Sequence, residues 1–163
     1  FLRNQDQLKI LKLSQNNIHG QIPKWISNLS KDTLIVLEMS DNLLTSFDHI
    51  PNALIWTNLQ VLFLPNNKLQ GSLPIPPPSI LYYSVFNNIL TGDISQIICE
   101  LSSLSYLDVS YNNLTGRYLQ WDMDVDLYGV FVGQIIIKRK SGWFIKSFAI
   151  GHPTGRRVKC RRR

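Results

Sequence analysis

Apolar residues recur along this chain on one template. Leu8, Leu11 and Leu13 lead into Asn16, and Ile18, Gly20, Ile22 and Pro23 follow it. The order returns as Leu34, Leu37, Met39, Asn42 and Leu44, with Ser46-Phe47 standing where the glycine segment belongs. A third copy runs Leu59, Leu62, Leu64, Asn67, Leu69, Gly71, Leu73 and Pro74. The fourth is Ile80, Tyr83, Val85, Asn88, Leu90, Gly92 and Ile94, and the fifth is Leu104, Leu107, Val109, Asn112, Leu114 and Gly116. The copies start 26, 25, 21 and 24 residues apart. Two apolar positions separated by one residue predict a short strand with both side chains on one face. One such turn cannot bury its apolar face alone, so the copies must stack into a solenoid.

The remaining template positions follow from backbone chemistry. Asn16, Asn42, Asn67, Asn88 and Asn112 are expected in a tight corner, where a short amide satisfies main-chain groups that no strand or helix pairs. Gly20, Gly71, Gly92 and Gly116 fit a turn with positive φ. Pro23 and Pro74 then direct the chain along an extended or 3-10 path on the outer side. The short fourth copy follows Pro76-Pro77-Pro78, which favours a polyproline segment over a helical turn.

These segments resemble the leucine-rich repeat family in its plant extracellular subtype. The subtype's mark is the extension after the asparagine, seen in Ile18-His19-Gly20-Gln21-Ile22-Pro23 and Leu69-Gln70-Gly71-Ser72-Leu73-Pro74. The segment Leu107-Asp108-Val109-Ser110-Tyr111-Asn112-Asn113-Leu114-Thr115-Gly116 is similar to those of receptor-like proteins and receptor-like kinases. The expected fold is an α/β-type leucine-rich repeat solenoid of about five repeats. It is a right-handed superhelix with a parallel sheet on the concave face and a mostly irregular or 3-10 convex side. The resemblance covers roughly residues 1–117 and implies recognition of a peptide, glycan or protein ligand through the concave face. It also implies signalling through a separate kinase, whose ectodomain would act as co-receptor, at the extracellular face of the plasma membrane. Two alternatives stay open: a secreted repeat-type enzyme inhibitor, and a truncated, non-functional gene product.

Charge divides the chain at the same place. The net charge is +6, yet residues 1–116 hold six bases against eight acids, and residues 117–163 eleven bases against three acids. The overall basic balance therefore says nothing about partners of the repeats. After Gly116 no sixth asparagine register appears. The sequence predicts a divergent basic tail over 118–163, with a hairpin around Lys140-Ser141-Gly142 and the run Arg156-Arg157-Val158-Lys159-Cys160-Arg161-Arg162-Arg163. Clustered arginines would collect phosphates, so any nucleic-acid or anionic-surface contact would rest on the tail alone, and no nucleic-acid partner is expected. The register loss and the missing caps suggest a fragment of a longer ectodomain, with a tail that is not a native domain. Val125–Ile137 is too short to span a bilayer, and no leader pattern is visible at the first residues.

Candidate chemistry is confined to binding. Cys99 and Cys160 make no disulfide framework or zinc spacing, and His19, His49 and His152 have no nucleophile or carboxylate in a catalytic pattern. Asp122, Asp124 and Asp126 lack the glycine and glutamate of a calcium loop. No enzyme activity, cofactor or metal is expected. The concave face is the expected binding surface. Its three columns are Ile10, Val36, Val61, Tyr82 and Tyr106; then Lys12, Glu38, Phe63, Ser84 and Asp108; then Ser14, Ser40, Pro65, Phe86 and Ser110. Phe63, Tyr82, Phe86 and Tyr106 gather in the last three repeats as a candidate contact patch, with Asp108 as a polar anchor and Lys12 and Glu38 beyond. Lateral packing of the first column, with no ligand, is the competing expectation. Asn28-Leu29-Ser30 and Asn113-Leu114-Thr115 are N-glycosylation acceptors that fit a secreted domain.

Overall fold

A computed structural model describes residues 4–22, 25–26, 29–47, 54–93, 101, 103–115, 118–120 and 157–159. The leucine pairs form five strands in one parallel sheet: β1 (Ile10–Lys12), β3 (Val36–Glu38), β5 (Val61–Phe63), β7 (Tyr82–Ser84) and β9 (Tyr106–Asp108), in that order. Their register is that of the template, with Leu11, Leu37, Leu62, Tyr83 and Leu107 side by side. These five side chains point inward and are buried, as are Leu34, Leu59, Ile80 and Leu104 three residues before them. Each repeat covers the apolar face of the next, which is the stacking that the spacing demands.

The asparagines hold the corners. Asn88 Oδ1 accepts the backbone N–H of Leu69 at 2.9 Å, and its Nδ2 lies within bonding distance of the carbonyls of Leu64, Val85 and Phe86. Asn42, Asn67 and Asn112 repeat this arrangement, each reaching one repeat back as well as into its own turn. Asn16 differs: it is exposed and donates to the Ser14 carbonyl within its own turn. The ladder therefore stitches repeats as well as corners.

A second set of strands lies behind the asparagines and follows from no feature weighed in the sequence. β2 (His19–Gln21) pairs with β4 (Leu43–Ser46), while β6 (Gln70–Gly71), β8 (Ile89–Asp93) and β10 (Asn113–Thr115) form a sheet ordered β10-β8-β6. In all of it the third residue after one asparagine faces the first residue after the next: His19 with Leu43, Gln70 with Ile89, Thr91 with Asn113. The concave sheet has no such offset, so successive turns slant on this side by two residues, about 6–7 Å. Gly20, Gly71 and Gly92 have φ of 83°, 86° and 83° in open space, so backbone conformation and not crowding requires glycine there. Repeat two carries Ser46 instead, has no left-handed turn at that point, and the sheet is interrupted between β4 and β6.

The outer side is closed by isolated turns and large side chains. Leu29, Leu59, Ile80 and Leu104 each donate to a carbonyl three residues back. Trp56 is fully buried, and its Nε1 donates to the Leu29 carbonyl at 3.2 Å. Tyr83 takes a leucine position, and its hydroxyl donates to the Pro74 carbonyl at 2.8 Å, so the proline-rich segment is packed and hydrogen-bonded. Burial pushes the Tyr83 phenol above its ordinary value of 10.0. The unfolded chain ionises here from about pH 10 while the folded chain resists, so the stability is full below that pH and falls above it. Tyr83→Phe should flatten this alkaline loss, read as a smaller drop in urea midpoint between about pH 9 and about pH 11. An unchanged drop would mean that another group controls it.

Beyond the repeats, β11 (Tyr118–Gln120) pairs in parallel with β12 (Arg157–Lys159). Pro23, Ile94, Gly116, both cysteines, His49, His152, the acidic triplet at 122–126 and the anticipated hairpin lie outside the described residues. No helix among the described residues is long and apolar enough to cross a membrane.

Candidate functional site

The concave sheet aligns two outward columns without offset. Ile10, Val36, Val61, Tyr82 and Tyr106 form an unbroken apolar row across five strands, about 19 Å long at the usual strand spacing. Ile10 is 55% exposed and Tyr82 is 45% exposed, while Val36, Val61 and Tyr106 are half-buried. The neighbouring row is Lys12, Glu38, Phe63, Ser84 and Asp108. Lys12 Nζ stands 3.2 Å from Glu38 Oε2, so these two charges pair with each other. Lys12 is largely in solvent, which keeps the pair's contribution below about 1 kcal/mol.

Three of the four predicted aromatic residues come together. Phe63 meets Tyr106 edge-on at 6.2 Å between centroids, and Tyr82 lies against Tyr106 at 6.4 Å. Phe63 and Tyr106 stand two strands apart, farther than adjacent rings reach. The strand between them carries only the small Ser84 beside Phe63, so the two rings lean together above it. Phe86 pairs elsewhere, edge-on with Tyr111 at 5.1 Å and 66°.

Several residues expected at the surface are instead inside. Asp108 is 4% exposed, and Ser40, Ser84 and Ser110 are buried as well. Asp108 Oδ1 accepts from the backbone N–H and the hydroxyl of Ser110, and Oδ2 accepts from the Tyr106 hydroxyl at 3.3 Å. Its carboxylate is thus occupied by the turn that follows it, and what it anchors is Tyr106. Burial above all, then the charge of Asp108 and the bond to it, raise the Tyr106 phenol above its ordinary pKa. The Tyr106 phenol is thus neutral at physiological pH.

Other candidates are dispersed. His19 is exposed on β2. Asn113 is exposed on β10, whereas Asn28 lies outside the described residues. Ser30, the third residue of the first acceptor, is buried and holds the Gln5 carbonyl and the Leu8 N–H. No group of three metal-ligating side chains occurs among the described residues. The residue missed by the pattern reading is Tyr111, 55% exposed beside Phe86. Its signal was present: it precedes a corner asparagine, where the other repeats carry Gln15, Asp41, Asn66 and Asn87.

Comparison with known proteins agrees with this architecture. The family model described as Leucine Rich Repeat matches residues 7–29 and 103–121. Receptor-like protein 7 of Arabidopsis thaliana is 40% identical over 124 residues, which are 76% of this chain and 12% of that protein. The chain thus spans about an eighth of the length of that relative. The leucine-rich repeat ectodomain of the receptor kinase SOBIR1 from Arabidopsis thaliana superposes with a TM-score of 0.61 at 31% identity, over 68% of this chain and 60% of that one. The Arabidopsis receptor kinase HAESA, in complex with the peptide hormone IDA and the co-receptor SERK1, gives 0.59 at 28% identity, over 69% and 19%. With its stacked leucine strands, asparagine corners and these relatives, the chain is built of leucine-rich repeats of the plant extracellular subtype and is similar to receptor-like proteins.

Proposed function

We propose that the β1-β3-β5-β7-β9 sheet is the ligand face of a plant receptor-like protein and that its ligand is a short extended peptide. The observation that carries this reading is the Phe63–Tyr82–Tyr106 cluster, a partly exposed aromatic group at one end of an apolar row. Such groups supply the buried anchors of binding surfaces. The strands already pair with one another, so contact runs through side chains and not by adding a strand. A row of about 19 Å matches about six residues of extended chain lying across the strands. One apolar or aromatic anchor residue of the peptide seats on the rings, and the Lys12–Glu38 pair meets its polar end.

The solved complex of HAESA with a peptide hormone and a co-receptor supports this class of ligand. It also supports the second part of the proposal: this chain acts outside the plasma membrane and signals through the kinase of a separate co-receptor. Phe86, Ser40 and Ser110 fall outside the contact surface in this reading, and Asp108 acts only by positioning Tyr106.

An array of synthetic peptides differing in one anchor residue, probed with the whole chain, tests the proposal. Peptides with an aromatic or branched apolar anchor should bind best. Phe63→Ala or Tyr106→Ala should weaken the best of them at least about thirtyfold, the loss typical of a central anchor. Equal binding by both variants, in chains shown to be folded, would refute the assignment of this face.

A further inference from the structure

Tyr111 is out of character for its place in the fold. Gln15, Asp41, Asn66, Asn87 and Tyr111 each precede a corner asparagine, and their φ angles are 58°, 54°, 54°, 52° and 55°. Left-handed backbone is tolerated by Asn and Asp and disfavours bulky side chains. In the middle repeats the polar occupants also pair: Asn66 Nδ2 donates to Asp41 Oδ1 at 2.7 Å and Asn87 Nδ2 donates to Asn66 Oδ1 at 3.0 Å. Tyr111 departs from both rules. Its backbone is in the disfavoured left-handed region, while its ring is 55% exposed and held edge-on by Phe86, with little burial to offset that conformation.

Two residues on stands Asn113, exposed and within the acceptor Asn113-Leu114-Thr115. The intervening Asn112 turns inward, where Oδ1 accepts from Leu90 and Nδ2 reaches the carbonyls of Val85, Val109 and Ser110. Leu114 is buried too. Tyr111 and Asn113 are therefore the two exposed residues that flank an inward one. Asn112 itself is no acceptor, since Leu114 holds its third position.

We propose that Asn113 carries an N-linked glycan whose first N-acetylglucosamine packs on the exposed face of the Tyr111 ring, with Phe86 fixing that ring. The donor is an oligosaccharide linked to a polyprenyl diphosphate. Asn113 Nδ2 forms a bond to C1 of the first sugar while the bond from C1 to the diphosphate oxygen breaks. The electron pair leaves on the diphosphate, and the amide nitrogen gives one proton to a base of the transferase. The apolar C–H face of the sugar then meets the electron-rich face of the ring and removes both from water. This assignment explains an aromatic residue in left-handed backbone and gives Phe86 a partner away from the ligand row. It rests on the extracellular reading above only in requiring passage through the secretory pathway.

The test uses the full chain secreted by plant cells behind a heterologous signal peptide. The tryptic peptide Leu69–Arg117 should carry a glycan on Asn113 in nearly every copy. Complete enzymatic removal should lower the Tm by roughly 2–4 °C, and trimming to the first sugar should leave it unchanged. Tyr111→Phe should keep this difference. Tyr111→Asn, which suits the left-handed backbone and keeps the fold, should abolish it. A bare Asn113 in the secreted chain would overturn the proposal, and so would an equal Tm loss in Tyr111→Asn. Peptide binding measured on the same material reports separately on the ligand face, so the two readings fail independently.

Discussion

Asn88→Ala should destabilise the solenoid by roughly 3 kcal/mol or more, because it orphans several buried main-chain groups at once. The amide of Asn88 accepts from Leu69 and faces the carbonyls of Leu64, Val85 and Phe86, in two different repeats. Each buried group left without a partner costs roughly 1–3 kcal/mol, and water cannot replace the amide at a corner packed between leucines. Asn88→Asp at neutral pH should be at least as damaging. It can still accept from Leu69, but it turns a negative charge toward three carbonyl oxygens and loses both donors. Asn16→Ala is the control: its side chain is exposed and bonds only within its own turn, so the change should stay within about 0.5 kcal/mol. Urea unfolding of the three variants measures this directly. Equal losses at Asn88 and Asn16 would show that the ladder is incidental. Hydrogen exchange adds a spatial readout, since repeat stability is a sum over neighbours. Protection should fall most at the junction of the third and fourth repeats.

Trp56→Ala should cost about 3–5 kcal/mol, the usual range for removing a buried large aromatic residue. The indole is fully buried on the outer side and donates to the Leu29 carbonyl at 3.2 Å, so the change opens a cavity and leaves an acceptor unpaired. Trp56→Phe separates the two losses, because it fills part of the volume and removes only the donor. That variant should recover most of the stability. The total is comparable with much of the net stability of an ordinary domain, so Trp56→Ala is expected to melt well below the parent. A loss under about 1 kcal/mol in thermal or urea unfolding would mean that the outer side tolerates a void and that the leucine columns alone hold the stack.

The largest effects thus divide between a residue that the repeat marks and one that it does not. Asn88 belongs to a column legible in five copies, because every turn of a solenoid meets the same corner problem and solves it with the same side chain. The inward leucines are legible for a related reason: alternation along a strand tells which way a side chain points relative to its own backbone. The positive φ of Gly20, Gly71 and Gly92 likewise follows from the template. Trp56 lies in the stretch between copies, where lengths vary and no periodic signal marks a position as inside.

Relations between repeats were settled only by the folded arrangement. The two-residue slant of the second sheet depends on how turns stack, which no pattern within one turn encodes. Asp108 occupies an outward position by alternation, yet its carboxylate is drawn in by Ser110 and Tyr106. Phe63 reaches Tyr106 over Ser84 because side chains two strands apart can lean together when the one between is small. Phe86 joins Tyr111 on the next turn and not the cluster that its column suggested. Determined by the sequence alone were the family, the solenoid, its inward residues and its asparagine corners, since each is a property of one repeating turn. Which aromatic residues come together was left to the folded arrangement, because contact between different turns depends on stacking and side-chain size.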